Sequence, residues 1–240
     1  MIYVLIPVFN EEQNIENLFN ELKVLKLGEE TFFVFVDDGS SDKSAELLGS
    51  YFAAFPHIVL KNGENKGPGY TFNHGFNWIL DNSKSDGDRI VTMEADTTSD
   101  LSILPHMLTV SGLGYDLILA SVYAQGGALD KTSFLRKFLS SIANAAIRFL
   151  LGIQVNTYTS FYRVYHISLL RRIKSKYGEL ITEFGFICKL EILMKAINSG
   201  SKIVEIPMLL QSNKRKGKSK MKIFKTSMEY VKFGLFRRVK

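Results

Sequence analysis

Two segments decide the fold, IYVLIPVFNEE at residues 2–12 and TFFVFVDDGSSD at residues 31–42. Each is a β-rich apolar run that ends in polar and acidic residues. Carboxylates at the end of a buried strand are costly to desolvate unless a ligand, a cation or backbone donors receive them. The pattern therefore indicates a nucleotide pocket at the ends of two strands.

Strand and helix signals alternate along the chain. After the first strand, apolar residues recur at helical spacing from Glu11 to Leu25, and the same order then repeats. Further strands are predicted at 31–36, 58–60, 88–93, 116–121, 161–164 and 202–206, and further helices at 41–52, 70–80, 100–111, 133–151 and 186–199. Such repeats predict an α/β fold, in which a Rossmann-like, mostly parallel central sheet is flanked by helices and binds ligands at its carboxyl edge.

The composition fits one large α/β domain of 240 residues with a local excess of positive charge. The formal net charge is +6, and cations are concentrated between Lys214 and Lys225. This run suits phosphates or anionic lipid headgroups, although a plain solvated charge run is the alternative. It lacks interleaved aromatic residues, so no nucleic-acid partner is expected. Cys188 is the single cysteine, which excludes an intrachain disulfide and a zinc site built on several thiolates.

A second acidic strand end follows the strand predicted at residues 88–93. Glu94 and Asp96 are separated by one residue, and two such acids can present oxygen atoms to Mg²⁺ or Mn²⁺. A bound cation can in turn bridge a diphosphate. A surface turn would also explain this spacing, but two acidic strand ends in one sheet favour a shared site.

The order and spacing of six segments resemble family 2 glycosyltransferases, and within them polyprenyl-phosphate sugar transferases of the dolichol-phosphate mannosyltransferase type. The segments are IPVFNEEQNI (6–15), VDDGSSDKS (36–44), NKGPGYTFNHG (65–75), MEADTTSD (93–100), TSFYRVY (159–165) and EIPMLLQSNKRKGKSKM (205–221). The resemblance covers almost the whole chain and implies a glycosyltransferase A-type fold.

The resemblance also implies roles for individual residues. The base and ribose of a sugar nucleotide would be held by two groups, Pro7, Phe9 and Glu11 on one side and Val36 and Asp38 on the other. The metal and the diphosphate would be bound by Glu94, Ala95 and Asp96, of which Glu94 and Asp96 are the metal ligands. The phosphates and the acceptor would be met by Arg136, Ser140 and a basic loop containing Lys214, Arg215 and Lys220.

The implied reaction is a metal-dependent, inverting transfer of a sugar from GDP-mannose or a UDP-sugar to a polyprenyl phosphate. An ionised lipid phosphate can attack without a general base, so the site must mainly manage charge. Residues 1–222 would form the catalytic domain, and residues 223–240 a basic amphipathic helix suited to a membrane interface. We expect a cytoplasmic protein, peripheral on the cytosolic face of a membrane and compatible with a membrane-anchoring subunit.

Two alternatives stay open at this point. A transferase that acts on a glycan or protein hydroxyl would need a catalytic base. A catalytically degenerate subunit would bind the nucleotide sugar without turnover, as suggested by departures from the family pattern at Glu94, Val122 and Thr157.

Glu183 and Glu191 lie in a segment where relatives place acids near the donor sugar. The tail after residue 222 also has an alternative, namely packing its apolar side on the domain.

Overall fold

The structure is a computed structural model that describes residues 1–25, 27, 30–129, 154–217, 230 and 233. The strands are β1 (Ile2–Val8), β2 (Thr31–Asp37), β3 (His57–Lys61), β4 (Arg89–Thr92), β5 (Leu117–Ser121), β6 (Ala128–Leu129), β7 (Arg163–His166), β8 (Ile203–Pro207) and β9 (Leu209–Leu210). The helices are α1 (Glu12–Leu22), α2 (Ser44–Tyr51), α3 (Pro68–Asn82), α4 (Leu104–Ser111), α5 (Ile167–Tyr177) and α6 (Cys188–Asn198), with one 3₁₀ turn at Leu101–Ile103.

The central sheet has seven strands in the order β3-β2-β1-β4-β7-β5-β8. Strand β7 is antiparallel to both of its neighbours, whereas every other pairing in this sheet is parallel. A separate short pair joins β6 to β9. The predicted α/β architecture with a mostly parallel sheet is therefore confirmed.

Both faces of the sheet are covered by helices. Alternate residues of β1 point to opposite faces, so Leu5 packs with α3, α5 and α6, while Val4 packs with α1, α2 and α4. This double burial explains why the central strands are nearly continuous apolar runs. Helix α3 lies close to the sheet at Gly75, where an added Cβ atom would stand 2.2 Å from a Leu5 methyl group.

Two features of the second half differ from the sequence predictions. The helix at Ile167–Tyr177 was not predicted, although its apolar residues follow helical spacing. The strand predicted at 161–164 lies at Arg163–His166 between β4 and β5 and is antiparallel to both, because it enters the sheet from the edge at which β5 ends. The helix predicted at 133–151 lies outside the described residues.

Two residues of the C-terminal tail are described, and both are buried on the domain. Tyr230 and Phe233 are each 5% exposed, and the Tyr230 hydroxyl donates a hydrogen bond to the carbonyl of Phe186 at 3.1 Å. At these positions the tail packs its apolar side on the core. The interfacial helix predicted for residues 223–240 otherwise stays a prediction. In the part of the chain that the structure describes, no helix has the length and apolar character needed to cross a bilayer.

Candidate active site

The two acidic strand ends lie at the same edge of the sheet. Strands β2 and β4 flank β1 and run parallel to it, with Pro7 paired to Val36 and Leu5 paired to Thr92. Neighbouring strands are about 4.8 Å apart, which places the ends of β2 and β4 on the order of 10 Å from each other. Asp38 and Asp96 therefore lie at the same edge of the sheet, just past the carboxyl ends of the two strands that flank β1.

The carboxylate of Asp38 is held by donors from the loop that precedes α3. Its Oδ1 accepts from Asn62 Nδ2 at 2.8 Å and from the Lys66 amide at 3.0 Å, and its Oδ2 accepts from the Gly67 amide at 2.9 Å. Asn62 in turn bonds His74 at 2.8 Å, and burial lowers the pKa of that histidine, with Lys66 acting in the same direction. Asp38 thus fixes the conformation of the glycine-containing loop.

The segment that contains Glu183 closes on the start of α3. The Gly69 amide donates to the Phe184 carbonyl at 2.8 Å, and a Cβ atom at Gly69 would stand 1.9 Å from the Glu183 carbonyl oxygen. Buried Glu191 holds the same segment, since it accepts from the Glu183 amide at 2.8 Å and pairs with Lys195 at 2.7 Å. Glu191 is therefore a structural anchor, while Glu183 is half-buried beside the loop.

One carboxylate oxygen of Asp96 is bonded within its own turn. Its Oδ1 accepts from the Thr98 amide at 3.0 Å and from the Thr98 hydroxyl at 2.7 Å, and the residue is 2% exposed. The next residue, Thr97, has φ +58°, which is unusual for a β-branched residue. Backbone strain of this kind concentrates at functional sites. The turn after β4 therefore holds Asp96 in a defined orientation at a strained position.

The described part of the basic loop, residues 214–217, lies against this acidic edge. The Arg215 guanidinium contacts Oδ2 of Asp96. The ammonium of Lys214 instead pairs with Glu21 on α1 at 2.7 Å. Within this loop, Arg215 therefore lies beside Asp96, whereas Lys214 reaches away from it.

The donor set at the edge fits a hard divalent cation. Glu94 and Asp96 offer carboxylate oxygens, which Mg²⁺ and Mn²⁺ prefer. Within the described residues, no group of three or more His, Cys, Asp or Glu side chains is arranged to hold a metal ion. Two carboxylates suit an ion such as Mg²⁺, which usually keeps waters and takes other ligands from substrate phosphates.

A buried lysine at the start of α6 adds an unexpected cation. Lys189 is 5% exposed, and its ammonium lies 4.0 Å from the ring centroid of Phe161. Burial lowers the pKa of Lys189 to about 8, and the nearby carboxylate of Glu94 opposes that shift. The Lys189 carbonyl accepts from buried Arg163 at 3.0 Å, which ties α6 to β7. The electrostatic environment of Glu94 therefore includes a cation from the opposite half of the chain.

The remaining predicted residues fall into three groups. Pro7, Phe9 and Glu11 are half-buried around the end of β1. Val36 is fully buried beneath α3 and Ala95 is 3% exposed, so their contacts with a ligand would use backbone atoms. The residues outside the described part of the chain are Arg136, Ser140 and Lys220.

Sequence reasoning missed two polar residues near this edge. The sequence gives no reason to single out Lys189, because its neighbours follow the pattern of an amphipathic helix. Asn14 on α1 was read only as part of a motif, although it is 2% exposed and bonds to Lys216. An asparagine at a buried helix position is a usable signal, because asparagine is a poor helix former that is seldom buried.

Comparison with known proteins bears directly on this site. The model of glycosyl transferase family 2 matches residues 3–174. The chain belongs to this family. It is therefore a glycosyltransferase, in agreement with the resemblance carried by its motifs.

Several relatives act on polyprenyl phosphates by name. A polyprenol monophosphomannose synthase of Mycolicibacterium smegmatis is 29% identical over 91% of this chain and 80% of its own length. A dolichol-phosphate mannosyltransferase of Pyrococcus furiosus is 28% identical over 95% of this chain, which spans 61% of that relative. An undecaprenyl-phosphate mannosyltransferase of Micrococcus luteus is 26% identical over 92% of this chain and 87% of its own length.

Solved structures support the fold. Glucosyl-3-phosphoglycerate synthase from Mycobacterium tuberculosis, in complex with Mn²⁺, UDP and glucosyl-3-phosphoglycerate, superposes with a TM-score of 0.66 at 15% identity. The match covers 96% of this chain and 77% of that one. The family 2 chain thus has the glycosyltransferase A-type fold.

Proposed function

We propose that this glycosyltransferase transfers a sugar from a nucleotide-sugar donor, GDP-mannose or a UDP-sugar, to a polyprenyl phosphate with inversion and with Mg²⁺ or Mn²⁺. One observation carries the proposal. The Arg215 guanidinium of the basic loop lies against Asp96 at the acidic edge, which would bring the charge that binds the acceptor next to the leaving group. The names of the relatives agree with a polyprenyl-phosphate acceptor.

On the donor side, Pro7, Phe9 and Glu11 would line the base and ribose, opposite the wall built from Val36 and Asp38. Asp38 acts through the loop that it fixes, because its oxygens already accept from Asn62, Lys66 and Gly67. A divalent cation held by Glu94 and Asp96 would neutralise the diphosphate leaving group. Ala95 would contribute its backbone between them, and Arg136 and Ser140 would add contacts to the phosphates.

On the acceptor side, the chemistry calls for cations more than for a base. A lipid phosphate is ionised at neutral pH, and its oxygen can attack the anomeric carbon without losing a proton. The difficulty is repulsion between an anionic acceptor and an anionic donor, which Arg215, Lys214 and Lys220 would reduce. Attack opposite the leaving group inverts the anomeric centre.

The membrane assignment follows from the acceptor. A polyprenyl phosphate resides in a bilayer, so the basic loop would meet the headgroup layer, where anionic lipids attract cations. We propose that the protein works as a peripheral protein on the cytosolic face of a membrane. A membrane-anchoring subunit would be compatible with this arrangement.

The test is a transfer assay with matched acceptors. Purified protein is incubated with Mg²⁺ or Mn²⁺, radiolabelled GDP-mannose or UDP-sugars, and either a polyprenyl phosphate or the same polyprenol without phosphate. We expect label in the organic phase with the phosphate only, and none with the Asp96→Asn variant. NMR of the anomeric proton of the product tests inversion.

Two results would contradict the proposal. Label that reaches a glycan or a protein hydroxyl, and never the lipid phosphate, would favour the transferase that needs a base. Nucleotide binding without any transfer from the whole donor panel would favour the degenerate binding subunit.

A further inference from the structure

Asn14, on the first turn of α1, is joined to the basic loop across 202 residues of sequence. Its Nδ2 donates to the Lys216 carbonyl at 3.0 Å, and its Oδ1 accepts from the Lys216 amide at 2.9 Å. The same Nδ2 donates to Glu11 Oε2 at 2.6 Å. One buried side chain therefore satisfies both backbone groups of Lys216 and also contacts a predicted donor-binding residue.

This pairing is more specific than a chance surface contact. An asparagine side chain that bonds both the N–H and the C=O of one residue acts as a neighbouring strand would. Asn14 is 2% exposed, and a buried amide that lost these partners would be costly. Asparagine also lowers helix propensity relative to alanine, so α1 carries it at a cost.

Lys216, whose backbone Asn14 holds, directly follows Arg215 in the chain. Because Asn14 fixes the backbone of Lys216, it also restricts where the preceding residue, Arg215, can place its guanidinium. That guanidinium contacts Asp96. The Lys214–Glu21 ion pair is a second link between this loop and α1, but the Lys214 side chain is 40% exposed, and such surface pairs contribute about 0–1 kcal/mol.

We propose that Asn14 is a positioning residue that latches the basic loop over the acidic edge of the sheet. Through Glu11 and Lys216, it connects the donor side of the cleft to the loop that meets the acceptor. The part of this inference that concerns the acceptor phosphate rests on the proposed function. The latch itself rests on the hydrogen bonds alone.

The first experiment measures the latch without any substrate. Trypsin cleaves after Lys214, Arg215 and Lys216 only when that backbone is released, so cleavage reports local opening. In Asn14→Ala we expect cleavage at these bonds to accelerate about tenfold or more, since two hydrogen bonds of about 1 kcal/mol each are lost. The matched control Glu21→Gln, which removes the negative charge from the other link, should change cleavage by less than about threefold. Cleavage elsewhere in the chain should be unchanged.

The second experiment separates positioning from a purely structural role. Asn14→Ala should raise the KM for polyprenyl phosphate about tenfold or more, while the KM for the nucleotide sugar changes by less than about threefold. If the alanine variant does not fold, Asn14→Asp serves instead, because it keeps the shape and the acceptor for Lys216 but loses the donated N–H.

Each outcome decides the inference. Equal tryptic rates in wild type and a folded Asn14 variant would overturn the latch. Faster cleavage with unchanged acceptor KM would overturn the positioning role. If wild type transfers no sugar to lipid, the proposed function fails, and the tryptic comparison alone then supports or overturns the latch.

Discussion

The two acidic strand ends of the sheet are built in opposite ways. At the end of β2, Asp38 has both carboxylate oxygens occupied by donors of its own loop. At the end of β4, Asp96 uses one oxygen for Thr98 and directs the other at a cation brought from the far end of the chain. The difference indicates that Asp38 contributes mainly to structure, whereas Asp96 contributes mainly to the chemistry of charge.

The largest effect is expected at Asp96. Asp96→Asn keeps an acceptor for Thr98 but removes the negative charge that would hold the divalent metal ion. We expect transfer to fall by a factor of about 10² to 10⁴, corresponding to several kcal/mol. The free energy of unfolding should fall by less than in Asp38→Asn, because an asparagine keeps the acceptor for Thr98 and the Arg215 guanidinium is partly exposed to water. Denaturant melts and transfer rates check both statements, and a large loss of stability with residual transfer would contradict the assignment.

Asp38→Asn is the matched change at the other strand end. An amide has one oxygen where three donors now bond, so at least one N–H of the Lys66–Gly67 loop loses its partner. We expect the free energy of unfolding to fall by about 2 to 3 kcal/mol. Urea denaturation measures it. If Asp38→Asn left stability unchanged while Asp96→Asn lowered it, the contrast between the two ends would be reversed.

Beside the acidic end of β4, the contribution of Lys189 to the free energy of unfolding should depend on pH. Its folded-state pKa, about 8, lies below the ordinary value of 10.5, so the folded state disfavours the charged lysine. This penalty is fully present below pH 8, and is lost as the pH rises toward 10.5. At pH 7, the free energy of unfolding of Lys189→Met should therefore be about 1 to 3 kcal/mol higher than that of wild type.

This gain in stability should become clearly smaller at alkaline pH. Denaturant melts of Lys189→Met and wild type at pH 7 and pH 9.5 test this, because other groups titrate alike in both proteins. A difference between the two proteins that does not change with pH would contradict the buried, charged state of Lys189.

The smallest effect is expected in the basic loop. Arg215→Lys keeps the charge but loses the planar fork that can bond a carboxylate or phosphate twice. We expect kcat/KM for the lipid acceptor to fall about tenfold. Lys214→Arg is the matched control, and it should stay within about threefold because Lys214 faces Glu21 rather than Asp96. A larger effect at residue 214 than at residue 215 would contradict the placement of the loop.

The features predicted from sequence are those with local signals. Strands β1, β2 and β4 are apolar runs that end in polar or acidic residues, so their presence and their shared edge follow from the pattern, whereas their order in the sheet does not. The reversal of β7 has no local signal, because strand direction depends on the edge from which the chain enters the sheet. The helix at Ile167–Tyr177 did carry a helical pattern, and the prediction was incomplete there.

The site divides in the same way. Asp38, Glu94 and Asp96 were predicted because each follows a strand, and the structure brings these acids to one edge. The roles of Asn14 and Lys189 depend on partners from distant segments, such as Lys216 for Asn14, and sequence spacing does not encode those contacts. The separate orientations of Lys214 and Arg215 were also beyond the sequence, since both read as parts of one basic run.

The most direct test is the melting temperature with nucleotide in the presence and absence of Mn²⁺. GDP or UDP together with Mn²⁺ should raise the melting temperature of wild type, because a ligand that binds only the folded state stabilises it. EDTA should remove most of that increase, and Asp96→Asn should show little of it while still responding to nucleotide alone as wild type does. An equal Mn²⁺-dependent increase in Asp96→Asn and wild type would contradict the claim that this carboxylate holds the cation at the acidic edge.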